Sequence, residues 1–503
     1  MNSEPIESIV IVGGGTAGWM AAASLSRFVA NKRISITLIE SLSIGTVGVG
    51  EATVPNIVDF NRSLGIDEIE FIKATQATFK LGIQFENWSQ PGSRFFHPFA
   101  GYGLKMDNVE FHQYLHRLRA NGEAVELEDY SFSCMLAKQG RFAQPHPNPP
   151  TPLAEYSYAY HFDASLYAKF LRDFSVKRGV KHVDAKIGGV DLHKDNGFIK
   201  SVTLDDGRVI SGDLFIDCSG FKGLLIEGAL KTGYESWDHW LYCDSALAVQ
   251  TRRVGEPVPY TRTIARDFGW QWRIPLQHRT GNGYLFSSRF ETDDNAKKTL
   301  EANIEGEALT DIRKITFTPG RRKKIWNKNC FALGLAGGFL EPLESTSISL
   351  IQTAISKLLT FFPDKSFNQA DIEEANRLHN NEVEHIRDFI ILHYKLNNRQ
   401  DTGFWRQCHD MPVPDTLAHK MAVYESRGHF VMYDNESFEL ASWLTMYNGF
   451  NRVPKRVDER AYAVDGNVLK NKLHQMQLSL RNAAEQALTH DQFIQKHCPA
   501  KSI

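Results

Sequence analysis

The chain lacks what marks a metal scaffold, a small secreted domain or a membrane protein. None of its six cysteines (Cys134, Cys218, Cys243, Cys330, Cys408 and Cys498) forms a C-x-x-C pair. Zinc ribbons and small disulfide frameworks are therefore excluded, and reduced thiols are expected. His112 and His116 stand four residues apart, but no third ligand or H-E-x-x-H context accompanies them. They read as surface or packing histidines, and no metal is expected. The longest apolar-looking run, Phe331 to Leu340, is glycine-rich and about half the length of a membrane span. No basic segment followed by an apolar one opens the chain. A net charge of −2 gives no reason to expect nucleic acid or an anionic membrane as partner. The expectation is a soluble, cytoplasmic protein.

Against these absences stands a complete βαβ unit. Ser8 to Val12 is a continuous apolar run, as a parallel strand buried on both faces requires. Gly13-Gly14-Gly15-Thr16-Ala17-Gly18 follows, then an Ala-rich helical stretch to about Phe28 and a second strand, Ile34 to Glu40. In this G-x-G-x-x-G pattern the first glycine permits a tight turn and the second lets the backbone approach a pyrophosphate. The third lets helix and strand pack closely, while the helix N-terminus offers N–H groups. Glu40, 22 residues beyond Gly18, is placed for an adenosine ribose.

The cofactor expected is FAD rather than NAD. A strap from Ser41 to Thr53 suits an extended dinucleotide, and a second glycine-rich segment, Gly334 to Gly338, leads toward a helix starting near Thr346. Candidate cofactor-binding residues are Gly13, Gly15, Thr16, Ala17, Gly18, Glu40, Ser41, Ile44, Ala52, Val183, Leu335 and Ile348. No second G-x-G-x-x-G is present for NAD(P)H, so FADH2 must come from a separate flavin reductase.

The fold class expected is α/β (α+β), with a Rossmann-type FAD-binding domain of the flavin monooxygenase/hydroxylase kind over 1–365. A substrate-side segment (about 55–160) and a strand-rich segment (about 245–330) interrupt it. Helical periodicity dominates 366–503, including the stretches 371–394 and 467–488, which form a mostly helical substrate-side region. The helix 163–178 carries the stripe Tyr167, Phe170, Leu171, Phe174, and a hairpin turns at Asp206-Gly207. The sequence does not set the oligomeric state, a homodimer included.

Three segments resemble the flavin-dependent tryptophan halogenase family. Trp270-Gln271-Trp272-Arg273-Ile274-Pro275 matches its W-x-W-x-I-P motif, Ala77 to Ile83 matches the context of its catalytic lysine at Lys80, and Phe339 to Thr346 contains its E-P-L-E-S-T segment. Further similarity lies in Gly50-Glu51-Ala52-Thr53, Ala159 to Asp163, Arg387-Asp388-Phe389 and His393-Tyr394, so the likeness spans roughly 8 to 410. It implies that FADH2, O2 and a halide (chloride or bromide) yield hypohalous acid, which crosses an internal tunnel to an aromatic substrate.

Lys80 is then the amine that hydrogen-bonds the oxidant or is itself halogenated. Glu344 polarises the oxidant or takes the proton from the ring intermediate. Thr346 and Ser347 form the halide site, with Ser347 standing where the family usually has glycine. His97, Phe99, Trp270, Trp272 and Trp443 line the substrate pocket. Taken singly, these residues have plainer readings: a solvated lysine, a helix-capping Glu344, a core tryptophan pair.

The paired tyrosines and acid that hold free tryptophan in the family have no match in Glu436 to Trp443 or in Met446-Tyr447-Asn448. An indole-like, phenolic or peptide-borne aromatic is expected over free tryptophan. The competing functions are a flavin-dependent aromatic hydroxylase, a non-catalytic FAD-binding redox protein and an NAD-linked dehydrogenase.

Overall fold

In the computed structural model, which describes residues 4–30, 33–43 and 51–501, the run Ser8–Val12 sits inside a six-stranded sheet. The strand order is Trp326–Asn327, Cys330–Ala332, Leu214–Asp217, Ser8–Val12, Ser35–Glu40 and Lys181–Asp184. All pairs are parallel except the Trp326–Asn327/Cys330–Ala332 hairpin. Ile9, Val10, Ile11 and Val12 are buried, as an inner strand covered on both sides demands.

The helix Thr16–Phe28 is buried from Gly18 through Ser26 and lies against the helices Ala164–Val176 and Ser347–Thr360. Its run of small side chains, Ala21-Ala22-Ala23, permits that close packing. A second sheet, Ile187–Leu192, Ile199–Leu204 and Val209–Ser211, presents Ile199, Val202 and Leu204 to Val10, Val12, Ile39 and Phe215. Its hairpin turns at Gly207, whose φ of +85° favours glycine.

These elements belong to one of two compact units, built from Met1–Ala77, Phe162–Leu241 and Thr316–Glu384. It contains the βαβ unit and the glycine turn that the sequence points to as a dinucleotide-binding fold.

The other unit comprises Thr78–His161, Tyr242–Ile315 and His385–Ile503. Its seven-stranded sheet runs Arg313–Thr316, Ser245–Arg252, Arg279–Phe286, Gly269–Pro275, Thr261–Arg266, Gly82–Glu86 and Arg94–Pro98. One face presents Leu247, Val249, Tyr284 and Phe286 to Ala296 and Leu300 of the helix Asp293–Asn303. That helix lies within the segment expected to be mostly strand. Only Ala296 and Leu300 of its eleven residues are buried, so its sequence carries almost no apolar stripe.

The C-terminal part of this unit is helical, with Gly403–Asp410, Asp415–Arg427, Leu440–Gly449, Gly466–Glu485 and His490–His497. Leu469, Leu473, Met476 and Leu480 form the buried stripe of the helix Gly466–Glu485. Among the described residues no helix is long and apolar enough to cross a membrane.

Candidate active site

The glycine turn of the first unit is set by contacts that exclude a side chain. A β-carbon on Gly13, whose φ is +110°, would stand 2.2 Å from the Cys218 carbonyl oxygen, and one on Gly18 would stand 1.8 Å from that of Gly13. Gly13, Gly15, Thr16 and Ala17 remain half-buried while Gly18 is covered. The following helix starts from Gly15 without a side-chain cap, so its first N–H groups are left for a ligand.

Glu40 ends the second strand with Oε1 at 2.8 Å from Nε2 of His182. Burial raises its carboxyl above the ordinary value, and His182 pulls it back. His182 in turn meets Trp19 edge-on, with ring centroids 5.4 Å apart. Across the turn, Gly334 adopts φ +61°, and a β-carbon there would lie 2.9 Å from that of Ala17. The two glycine-rich segments therefore meet, a cradle suited to an extended dinucleotide pyrophosphate.

Of the other cofactor candidates, Val183 pairs with Ile39 at the sheet edge, Ile348 is buried, and Leu335 and Ala52 are half-buried. Ser41 shares a 2.9 Å hydrogen bond with Ser43. Ile44 lies outside the described residues. Beside Ala52, burial and the nearby Asp163 push the Glu51 carboxyl up to about 7.

The segment Pro342–Glu344 is one 3-10 turn, and Ser345 (φ +61°) reverses the chain into the helix Ser347–Thr360. Glu344 is buried. Thr346 makes no side-chain cap, and its hydroxyl is buried without a hydrogen-bond partner. An orphaned hydroxyl beside uncapped N–H groups fits a small anion. Ser347, half-buried, is the first helical residue.

In the second unit Lys80 is fully buried, its Nζ 5.2 Å from the Phe99 ring centroid. It ends the strand Thr78–Lys80, paired antiparallel with Ala159–Phe162 so that Lys80 opposes Ala159 and Thr78 opposes His161. Phe79 points the other way and stacks on Phe142 at 4.1 Å. Trp270 and Trp272 share a sheet face with ring centroids 5.9 Å apart. Trp272 lies flat against its cross-strand partner Gly283, where a β-carbon would fall 1.9 Å from the indole. Only glycine leaves that ring its place.

His97 Nε2 lies 2.9 Å from the Ser442 hydroxyl, and its ring is 6.0 Å from that of Phe389. Phe389 stacks on Phe438 at 4.0 Å and meets Trp443 edge-on at 5.0 Å. Lys80 with Phe99, and His97 with Trp443, thus form two aromatic neighbourhoods joined by the backbone bond Phe99 N–H to Leu81 C=O, 2.9 Å. His112 and His116 are buried, with His112 donating from Nε2 to the Gly428 carbonyl at 2.7 Å. Sequence reasoning missed His182, which matters only through Glu40 and Trp19, partners distant in the chain; His161 and Phe389 were noted there only as part of the family likeness, with no role.

The family model described as tryptophan halogenase matches residues 8–466. The tryptophan 6-halogenase SttH of Streptomyces toxytricini is 36% identical over 447 residues, 84% of each chain. The tryptophan 7-halogenase RebH of Lentzea aerocolonigenes is 36% identical over 443 residues, 84% of this chain and 83% of that one. Among solved structures, BrvH, a flavin-dependent halogenase from Brevundimonas sp. BAL3, shares 48% identity with a TM-score of 0.95, covering 98% of this chain and 99% of that one. A flavin-dependent halogenase from Xanthomonas campestris shares 45% identity with a TM-score of 0.96, covering 99% and 100%.

Proposed function

We propose, for a chain that belongs to the tryptophan halogenase family and is a flavin-dependent halogenase, an indole-like or other electron-rich aromatic substrate in place of free tryptophan. What supports this choice is the state of Glu436, the acid in the stretch where an amino-acid clamp is expected. It is committed inside the protein: its carboxylate takes the buried Lys420 ammonium and the Tyr433 N–H. An acid so engaged is not free to hold an ammonium group of the substrate. The rings of His97, Phe389, Phe438 and Trp443 remain as an aromatic neighbourhood for a flat substrate.

FAD, reduced by a separate flavin reductase in the cytoplasm, supplies hypohalous acid when bound together with O2 and chloride or bromide. The chain's own residues do the rest. The N–H groups at Gly13, Gly15, Thr16, Ala17 and Gly18 hold the pyrophosphate, and Glu40 takes the ribose hydroxyls. Ser41, Ala52, Val183, Leu335 and Ile348 line the cofactor. Thr346 and Ser347 hold the halide through the uncapped helix start. Lys80 donates a hydrogen bond to the oxidant and aims its halogen at one ring carbon. Glu344 accepts the proton that the ring loses. Trp270 and Trp272 line the substrate pocket with one sheet face.

A panel of indole, phenols, an aromatic peptide and free tryptophan, assayed with flavin reductase, NADH and bromide, tests this reading. Indole should exceed tryptophan in kcat/KM by about tenfold or more, the order of one lost charged contact. Efficient turnover of free tryptophan alone would contradict it. Product mass with and without bromide separates halogenation from hydroxylation.

A further inference from the structure

Lys80 reaches its place at the end of a short strand, and three buried side chains on that strand's surroundings form a continuous chain of hydrogen bonds. Thr78 Oγ1 lies 2.7 Å from the carbonyl oxygen of Pro275, the last residue of the W-x-W-x-I-P segment. The same hydroxyl lies 3.1 Å from His161 Nδ1, and His161 Nε2 lies 2.9 Å from Thr261 Oγ1. Thr78, His161 and Thr261 are all buried.

The direction of each bond follows from counting protons. A carbonyl only accepts, so the single Thr78 hydroxyl proton goes to Pro275. Thr78 must then accept from His161, which puts the ring proton on Nδ1. His161 is held neutral, because burial and the neighbouring Lys80 and His490 all push its pKa well below the ordinary value. Neutral His490 is fixed likewise, accepting the Phe79 N–H and donating to the Pro257 carbonyl. With Nδ1 protonated, His161 Nε2 carries a lone pair, and Thr261 donates to it.

The strand register turns this chain toward Lys80. Thr78 and Lys80 project to the same face, as do their cross-strand partners His161 and Ala159. Ala159 opposite Lys80 leaves room for the long side chain, while His161 opposite Thr78 fills the adjoining place. Leu81 N–H bonds to the Pro259 carbonyl at 2.7 Å, tying the other side of Lys80 to the bend that leads into the strand Thr261–Arg266.

We propose that Thr78, His161 and Thr261 are positioning residues that fix the Lys80 strand to the W-x-W-x-I-P strand and so set where the Lys80 amine stands. The histidine of the relay is neutral and its tautomer is fixed at both nitrogens, so the relay itself adds no charge beside Lys80. It rests on the reading of Lys80 as the residue that aims the halogen.

The test compares Thr78→Val, Thr78→Ser, Thr261→Val and Lys80→Ala in bromination of indole, with FAD affinity and melting midpoint measured alongside. Thr78→Val keeps the shape and removes the hydroxyl. Its kcat should fall about 10- to 100-fold with KM for indole within about twofold, since misplacement of a reacting group costs rate rather than binding. Free hypobromous acid, trapped by a 1,3-diketone, should rise per FADH2 consumed. Thr78→Ser should restore kcat to within about threefold of the parent, and Thr261→Val should behave as Thr78→Val does. Parent-like kcat in both valine variants, with Lys80→Ala inactive, would overturn the relay and leave the reading of Lys80 standing. Bromination retained by Lys80→Ala would overturn that reading itself. If the valine variants do not fold, 15N spectra of histidine-labelled enzyme decide: a proton on Nδ1 of His161 supports the relay, and one on Nε2 overturns it.

Discussion

A β-carbon at position 14 would stand 1.8 Å from Oε2 of Glu40. The turn and the acid are thus one device, in which Gly14 makes the space that the Glu40 carboxylate fills. Gly14→Ala would collide with the Glu40 stem as well, at 2.2 and 2.5 Å, so a rotation of the carboxylate alone does not relieve it. The expected outcome is displacement of Glu40 and a loss of FAD affinity of about tenfold or more, the cost of one charge-assisted hydrogen bond. Fluorescence titration with FAD checks this. Glu40→Gln, which keeps the shape, should lose less.

The uncapped helix start at Thr346 predicts a halide phenotype. Thr346→Val removes a buried hydroxyl that makes no bond within the protein, so folding should be unharmed or slightly improved. The KM for bromide should rise about tenfold, while that for the aromatic substrate stays near the parent value. Ser347→Gly removes the side chain at the first helical position and should change the ratio of chlorination to bromination. Halide saturation curves for both variants decide it. Unchanged halide dependence in Thr346→Val would remove Thr346 from the halide site.

The Rossmann core was readable from sequence because each of its signals is local. The unbroken apolar run Ser8–Val12, the glycines after it and the acid ending the next strand all lie within forty residues. Long stripes such as Leu469, Leu473, Met476 and Leu480 announced their helix in the same way. The helix Asp293–Asn303 did not, because two buried residues are too few to set a period. The relay beside Lys80 was equally hidden, since its bonds join residues 83, 100 and 197 positions apart. Nor does a lone lysine reveal that it is buried; only the register of Thr78–Lys80 against Ala159–Phe162 places it.

Protonation gives a third prediction. Burial, with His112 and Arg119 nearby, holds His116 at about 3, far below its ordinary 6.5. A depressed histidine pKa means that the unfolded chain binds the proton first on acidification. His116 therefore costs stability as pH falls from 6.5 toward 3, by at most about 1.4 kcal/mol per pH unit. His116→Gln should lose stability at pH 7 through packing and recover relative to the parent by pH 4. Glu51 works in the opposite sense, since its carboxyl is raised from 4.5 to about 7. What it contributes is present below 4.5 and lost as pH rises through 7, so Glu51→Gln should gain on the parent above neutrality. Urea denaturation at pH 4 to 8 reads both.

The last prediction concerns Lys420, buried with its Nζ 4.3 Å from the Trp443 ring centroid and 4.7 Å from that of Tyr433. Its charge is met by Glu436, and it donates to the Val431 carbonyl at 2.8 Å. Burial alone lowers the Lys420 pKa, and Glu436 opposes the change. Two charges withdrawn from water stabilise little as a pair, yet leaving one of them alone is costly. Lys420→Met should therefore destabilise by about 3–5 kcal/mol, because Glu436 remains buried without its partner. The double variant Lys420→Met/Glu436→Leu should recover most of that loss, because no lone charge remains. If the pairing of Glu436 with Lys420 is also what denies a substrate ammonium its partner, the double variant, with no acid at this position, should still prefer indole to tryptophan. A single variant, Lys420→Met, should instead gain activity on free tryptophan, since its unpaired carboxylate can then accept the substrate ammonium. Denaturation midpoints and kcat/KM for the two substrates, measured on the same three proteins, separate the structural role of the pair from its part in specificity.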